Sequence, residues 1–300
     1  MLRKTALLVL FALLHPPNLS AQDLRNRTEE MYHLGTVIIS KEPLPDKVYE
    51  AQKNKFLVSV IFFEKGTNNI IISGVDTGFI SDKPGVVITA RHLLVEAKRE
   101  VEAIKASRII INPKFDYDYM FMGTVITRTQ WLNFPLFLEA VGEVGTLKDL
   151  MALRADVLTM EKARIVGDIM NPNPLQILLK TSEFADAKLG EEVYISGLAP
   201  VVNQYYDKNN RLVTVYIDLI NHTFTAELEV PITDMPGNQA GVKTLYRLRD
   251  SAEPGFSGGK VMNIKGQVVG MTIAVSFSKN FVYAISSKDI QQFMKDHKIK

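Results

Sequence analysis

From Lys55 onward the chain is punctuated by short runs of β-branched and aromatic residues set between turn residues. They fall at residues 56–63, 70–73, 77–81, 85–89, 108–112, 192–196, 212–219, 224–230 and 267–274. Many short strands with few helical stretches predict an all-β barrel or sandwich. Helical patterns are confined to residues 93–107 and 286–298. In the second, Ser287 is the expected cap, and Ile290, Phe293 and Met294 share one face. The charged stretch 96–108 mixes both signs and reads as a solvated helix face. The segment Met170-Asn-Pro-Asn-Pro174 divides the strand series, so it is the expected connection between two barrels at about 55–170 and 175–285. Residues 22–54 are polar, with Pro43 and Pro45, and read as a lead-in segment tied loosely to the body.

With 300 residues and 46% apolar composition the chain has enough material for one large or two small cores. Thirty-five basic against 33 acidic side chains leave a net charge of +2, too small by itself to imply a nucleic-acid or membrane-surface partner. At the start, Arg3 and Lys4 precede the apolar run 6–14, and Ser20-Ala21 offers small residues for cleavage. That run falls short of the roughly 20 residues a membrane-spanning helix needs, so residues 1–21 read as a signal peptide. Leu19 leaves the cleavage point open by a few residues, with an uncleaved anchor as the alternative. Export to the periplasm or the medium follows as the expected localisation, without stable membrane insertion. The absence of cysteine excludes thiol catalysis, cysteine–zinc sites and iron–sulfur clusters, and it suits a bacterial envelope protein better than a disulfide-bonded eukaryotic secreted one. Asn26 and Asn221 begin Asn-x-Thr matches that matter only in a glycosylating host.

Three local patterns carry chemistry. In Gly255-Phe-Ser-Gly-Gly259, glycines on both sides of Ser257 permit a sharp turn that exposes a hydroxyl and aims successive N–H groups at one point. A Gly-rich hairpin turn is the equally good plain reading of the isolated motif. His92 follows the apolar strand 86–88 where a helix begins, a fixed platform suited to a general base, although a buried core histidine fits the same pattern. Of the other histidines, His15 lies in the signal, His33 in the lead-in and His297 in the tail, which leaves His222 as the competitor. No second histidine stands at ligand spacing near His92, so no metal site is expected. Asp149 leads directly into an apolar strand, where a carboxylate needs a hydrogen-bonding partner. Asp156, also beside apolar residues, is its rival.

In combination these segments resemble the trypsin-like (chymotrypsin-fold) serine proteases, and more closely the bacterial HtrA/Deg-type protease domain. The matching stretches are Thr77-Gly-Phe-Ile-Ser with Val87-Ile-Thr-Ala-Arg-His92, then Asp149-Leu-Met-Ala-Leu-Arg154, Leu189-Gly-Glu-Glu-Val-Tyr-Ile-Ser-Gly197, and Gly255-Phe-Ser-Gly-Gly259 through Gly270. They run in the order His, Asp, Ser over residues 55–290. The resemblance implies two six-stranded antiparallel barrels followed by a C-terminal helix, with residues 55–300 as the protease domain. It implies a triad of His92, Asp149 and Ser257, with Asp149 preferred over Asp156, and an oxyanion hole from the N–H groups of Gly255 and Ser257. Ser251 would floor the primary specificity pocket, with Ile273, Ala274 and Val275 along its wall. A floor without charge implies cleavage of protein or peptide substrates after small or medium apolar residues, with no cofactor.

The departures are specific. Phe256 stands where zymogen-activated relatives carry an aspartate, and no Ile-Val-Gly-Gly start is present, so activation by an N-terminal cut is not expected. Lys260 replaces the usual proline after Gly-Gly, and the chain ends too soon after its last helix for a PDZ domain. Two other functions fit the same pattern: a catalytically silent protease-fold binding module, or a chaperone or adhesion protein of the bacterial envelope.

Overall fold

The computed structural model describes residues 44–66, 69–110, 112–126, 131–143, 149–155, 178–206, 212–232, 245–249, 255–276 and 281–300. Its strands are β1 (Lys55–Glu64), β2 (Ile70–Ile80), β3 (Val86–Thr89), β4 (Tyr117–Ile126), β5 (Trp131–Val141) and β6 (Met151–Ala155), then β7 (Glu192–Tyr206), β8 (Leu212–Ile232), β9 (Leu245–Arg249), β10 (Lys260–Met262), β11 (Val268–Ser276) and β12 (Phe281–Ser286). The first six close into one antiparallel barrel in the order β1-β2-β3-β6-β5-β4. The last six close into a second in the order β10-β11-β12-β9-β8-β7. Helices α1 (Asp46–Ala51), α2 (His92–Arg108) and α3 (Ser287–Asp296) lie outside the barrels. The expected architecture of two six-stranded barrels and a terminal helix is therefore the observed one.

Alternation along β1 explains the first barrel. Phe56, Val58, Val60 and Phe62 point into a core shared with Val87, Phe121, Phe134 and Leu153. Val193, Ile195, Leu248, Phe256, Val261, Val269 and Val282 fill the second. A third cluster joins the two: Phe79, Val86 and Ile88 of the first barrel meet Met262, Met271 and Ile273 of the second, together with Ile290 and Phe293 of α3. Each such side chain removed from water contributes about 1.5–3 kcal/mol, so the barrels pack against each other through a core and not merely through a linker.

Several local expectations are corrected. The expected strand at 108–112 does not begin where the sequence placed it: α2 continues through Arg108 and gives way to a turn at Ile109 and Ile110, and residue 111 lies outside the described residues. The two runs at 212–219 and 224–230 are one strand, because ladder bonds run through the polar Asn221-His-Thr223 break, with Leu198 opposite Asn221 and Gly197 opposite His222. Backbone pairing is indifferent to side-chain polarity. Strands β4, β5, β9 and β12 were not expected. In β5, Pro135 interrupts the strand signal yet lies opposite Met122. The cap of α3 is Ser286, whose Oγ accepts from the Asp289 N–H at 3.2 Å, whereas Ser287 Oγ donates to the Ala185 carbonyl at 2.6 Å.

The end of the lead-in is not loose. Val48 is fully buried in the joining cluster. The ammonium of Lys260, buried where a proline was expected, donates to the Ala51 carbonyl and to Asn54 Oδ1. Asn54 in turn donates to Lys180 O at 3.0 Å and to Ser182 Oγ at 3.2 Å. Lys55 donates to Ser196 Oγ of β7 at 2.6 Å. Burial pushes the Lys55 ammonium down to about 7 and Lys260 well below the ordinary lysine range. The segment between Pro45 and Lys55 is thus stapled to the second barrel by main-chain and side-chain hydrogen bonds.

Candidate active site

His92 is aimed by secondary structure. Strand β3 pairs with β6, Thr89 opposite Met151, which brings the end of β3 beside the residues entering β6. His92 opens α2, and the first N–H groups of a helix lack partners inside it. Asp149, just ahead of β6, supplies one: its Oδ1 accepts from the His92 main-chain N–H at 2.8 Å, and its Oδ2 lies 2.6 Å from His92 Nδ1. One carboxylate therefore caps the helix and fixes the ring. With Nδ1–H donating to Asp149, Nε2 is the nitrogen left to exchange a proton with a reacting group. The Asp149 carbonyl also accepts from the Arg91 N–H at 3.3 Å, and Arg91 Nε stands 3.9 Å from Asp149 Oδ1. Burial opposes charge on the imidazole, but the hydrogen bond to Asp149 and the charges of Asp76, Asp149 and Glu96 outweigh it and raise His92 to about 9.

The serine loop comes from the other barrel. Gly255 (φ 95°) and Gly258 (φ 78°) take left-handed conformations on either side of Phe256-Ser257. Phe256 is fully buried in the second core, which explains an apolar residue before the serine: it anchors the loop. The Gly258 N–H donates to the Thr272 carbonyl at 2.8 Å, and the Gly259 N–H donates to the Phe256 carbonyl at 2.8 Å. Among the described residues no acceptor takes the N–H groups of Gly255 or Ser257.

Thr77 joins the two halves. Its N–H donates to the Ser257 carbonyl at 2.9 Å. Its hydroxyl accepts from the Leu198 N–H at 2.8 Å and lies 3.0 Å from the Gly255 carbonyl, while its own carbonyl accepts from Thr89 Oγ1 at 2.7 Å. A residue of β2 thereby holds the serine loop, β7 and the strand leading to His92. Asp76, next along β2, has Oδ2 3.4 Å from His92 Nε2. Among the described residues no hydrogen bond joins the Ser257 hydroxyl to His92. Nothing in the sequence pointed to the part Thr77 plays, although it begins a matching stretch, and Asp76 was passed over, although an acid within an otherwise apolar strand was the available signal.

A β-carbon on Gly258 would fall 2.0 Å from the Thr77 carbonyl oxygen and 2.7 Å from Thr89 Oγ1. Left-handed backbone costs a side chain about 1–2 kcal/mol and the overlap about 1–3 more. Gly258→Ala is expected to lower unfolding free energy by roughly 2–5 kcal/mol in urea titration, with the midpoint falling accordingly.

Of the remaining expected site residues, Ile273 is buried in the joining cluster and Ala274 is partly buried against it. Val275 lies on the same strand, and Ser251 and Asp156 fall outside the described residues. Among the described residues no helix is long and apolar enough to cross a membrane.

No family model and no curated protein matches the sequence. Solved structures do match. The HtrA-type protease AlgW, solved with a decapeptide, aligns with a TM-score of 0.50 at 11% identity over 84% of this chain and 66% of that one. The fold is that of the aligned part of AlgW. The Rv3671c protease of M. tuberculosis in its active form aligns with a TM-score of 0.47 at 12% identity, over 86% of this chain and 88% of that one. The two barrels are thus a chymotrypsin-like pair of the kind found in HtrA-type proteases.

Proposed function

We propose that the chain is an exported serine endopeptidase with His92 as base, Asp149 as its orienter and Ser257 as nucleophile. The observation that carries this reading is the double contact of Asp149 with the His92 N–H and Nδ1, made beside a serine loop held by Thr77. Attack of Ser257 Oγ on a peptide carbonyl sends the hydroxyl proton to Nε2, and Asp149 stabilises the imidazolium that forms. The developing oxyanion takes the N–H groups of Gly255 and Ser257, each donor worth about 3 kcal/mol at the transition state. The imidazolium then gives its proton to the leaving amine, the peptide bond breaks, and an acyl-enzyme remains. Water attacks that ester as His92 takes a proton from it, and the same proton returns to Ser257 Oγ. Ser251 and the strand bearing Ile273, Ala274 and Val275 form the primary pocket in this reading, which cleaves protein and peptide substrates after small or medium apolar residues. Export by residues 1–21 puts it in the periplasm or the medium.

The missing hydrogen bond between Ser257 and His92 favours a second reading, a silent protease-fold binding module. Contacts of this kind often tighten only when substrate binds. A fluorophosphonate probe distinguishes the two. Peptide mapping of the labelled protein is expected to find the adduct on Ser257 alone, and none on Ser257→Ala. Folded protein that takes up no probe is the binding module.

A further inference from the structure

Asp76 has no place in the reaction just described, yet it occupies the most consequential position in the site. It is 7% exposed, on a strand whose opposite residue in β1 is the apolar Val58. Among the described residues its Oδ2 is buried without a hydrogen-bond partner, and it stands 3.4 Å from His92 Nε2, the atom that must accept the serine proton. An unpaired buried carboxylate oxygen destabilises a fold. Neither the barrel pairing nor the core needs one here, because the β1–β2 ladder runs through the main chain and Thr77 makes the contacts to the second barrel. What the carboxyl group does touch is the reactive face of the base.

We infer that Asp76 is a positioning residue for the base: its carboxyl group holds the Nε2 side of His92 in the resting site, and the Ser257 hydroxyl gains that side only when the contact is broken. This rests on the protease reading. It accounts for two observations together, the orphaned oxygen on Asp76 and the absence of a Ser257–His92 hydrogen bond among the described residues. In the held arrangement Nε2 carries a proton, and Asp76 Oδ2 stands 3.4 Å away without a hydrogen bond to it, close enough to favour the imidazolium. That proton must leave for solvent before Nε2 can take the one on Ser257 Oγ.

The surrounding charges set the pH at which this happens. Burial raises the Asp76 carboxyl to about 8, the positive His92 opposing and the negative Asp149 and Glu96 assisting. Arg91 stands at Asp149, its Nε 3.9 Å from Oδ1. His92, raised in its turn, stays protonated through neutral pH, so the free base and with it the activity appear as pH rises above that range. Neutralising position 76 removes one of the charges that hold the proton on the ring, and the acid limb moves to lower pH.

The experiment follows the His92 ring nitrogens by NMR across pH in the full chain, beside the rate at which Ser257 takes up a fluorophosphonate. It compares the natural protein with Asp76→Asn and with Asp76→Ala, which lacks an amide able to bond Nε2. In both variants the His92 titration is expected to move down by roughly one unit or more. The acid limb of labelling moves with it, and labelling rises at pH values above about 8, where Asp76 carries its charge in the natural protein. An unmoved His92 titration in both variants overturns the inference. So does a moved titration with unmoved labelling, since the carboxyl would then adjoin the base without restraining it. Failure of all three proteins to label at any pH overturns the protease reading and the role of Asp76 with it, a pattern distinct from the other two.

Discussion

Ser257→Ala is expected to lower peptidase turnover about a millionfold, the full value of a triad acting as a unit, while leaving the unfolding midpoint nearly where it was. Stability is spared because the loop is held by groups other than the hydroxyl. Phe256 is buried in the second core, the Ser257 carbonyl accepts from Thr77, and Gly258 and Gly259 donate to main-chain carbonyls. Alanine retains every one of these. Turnover on a quenched peptide, measured beside urea unfolding, checks both halves. A loss of only a few fold in a folded protein means that another group is the nucleophile.

The second large effect concerns Asp149. Asp149→Asn is expected to reduce kcat about ten-thousandfold with little change in helix content. Asparagine keeps an oxygen to accept the His92 main-chain N–H, so the start of α2 stays capped. Its amide nitrogen, however, donates where Asp149 Oδ2 accepted, and it forces Nδ1 to become the acceptor. The ring proton moves to Nε2, and a nitrogen already bearing a proton does not take one from Ser257. Steady-state kinetics and the nitrogen chemical shifts of His92 report the loss and its tautomeric cause together. Asp156→Asn is the paired control, expected to stay within about threefold of the natural protein as a substitution outside the proposed triad. Greater damage from Asp156→Asn than from Asp149→Asn reverses the assignment of the acid.

The halves of the site were unequally legible in the sequence. His92 after 86–88 could be read because a strand end followed by a helix start is a local pattern, and the glycines around Ser257 because a tight turn is local too. Asp149 could not be separated from Asp156 by local pattern, since both are acids beside apolar residues, and resemblance alone preferred Asp149. What puts Asp149 on His92 is the pairing of β3 with β6, a contact between residues 57 positions apart (149 minus 92). The roles of Asp76 and Thr77 were hidden for a related reason. Their partners, His92, Leu198, Gly255 and Ser257, become neighbours only when both barrels have closed and met. The runs left barrel or sandwich open, and the resemblance alone implied two six-stranded barrels; four strands were overlooked, β5 among them, where the proline at 135 obscured a periodicity the ladder tolerates.

Thr77 has one consequence beyond its own hydrogen bonds. His92 and Asp149 belong to the N-terminal half and Ser257 to the C-terminal half, so their alignment is a property of the seam. Any event that shears the two halves past each other, from a partner wedged at that boundary to the loss of a single threonine hydroxyl, detunes the chemistry while every reacting group stays intact.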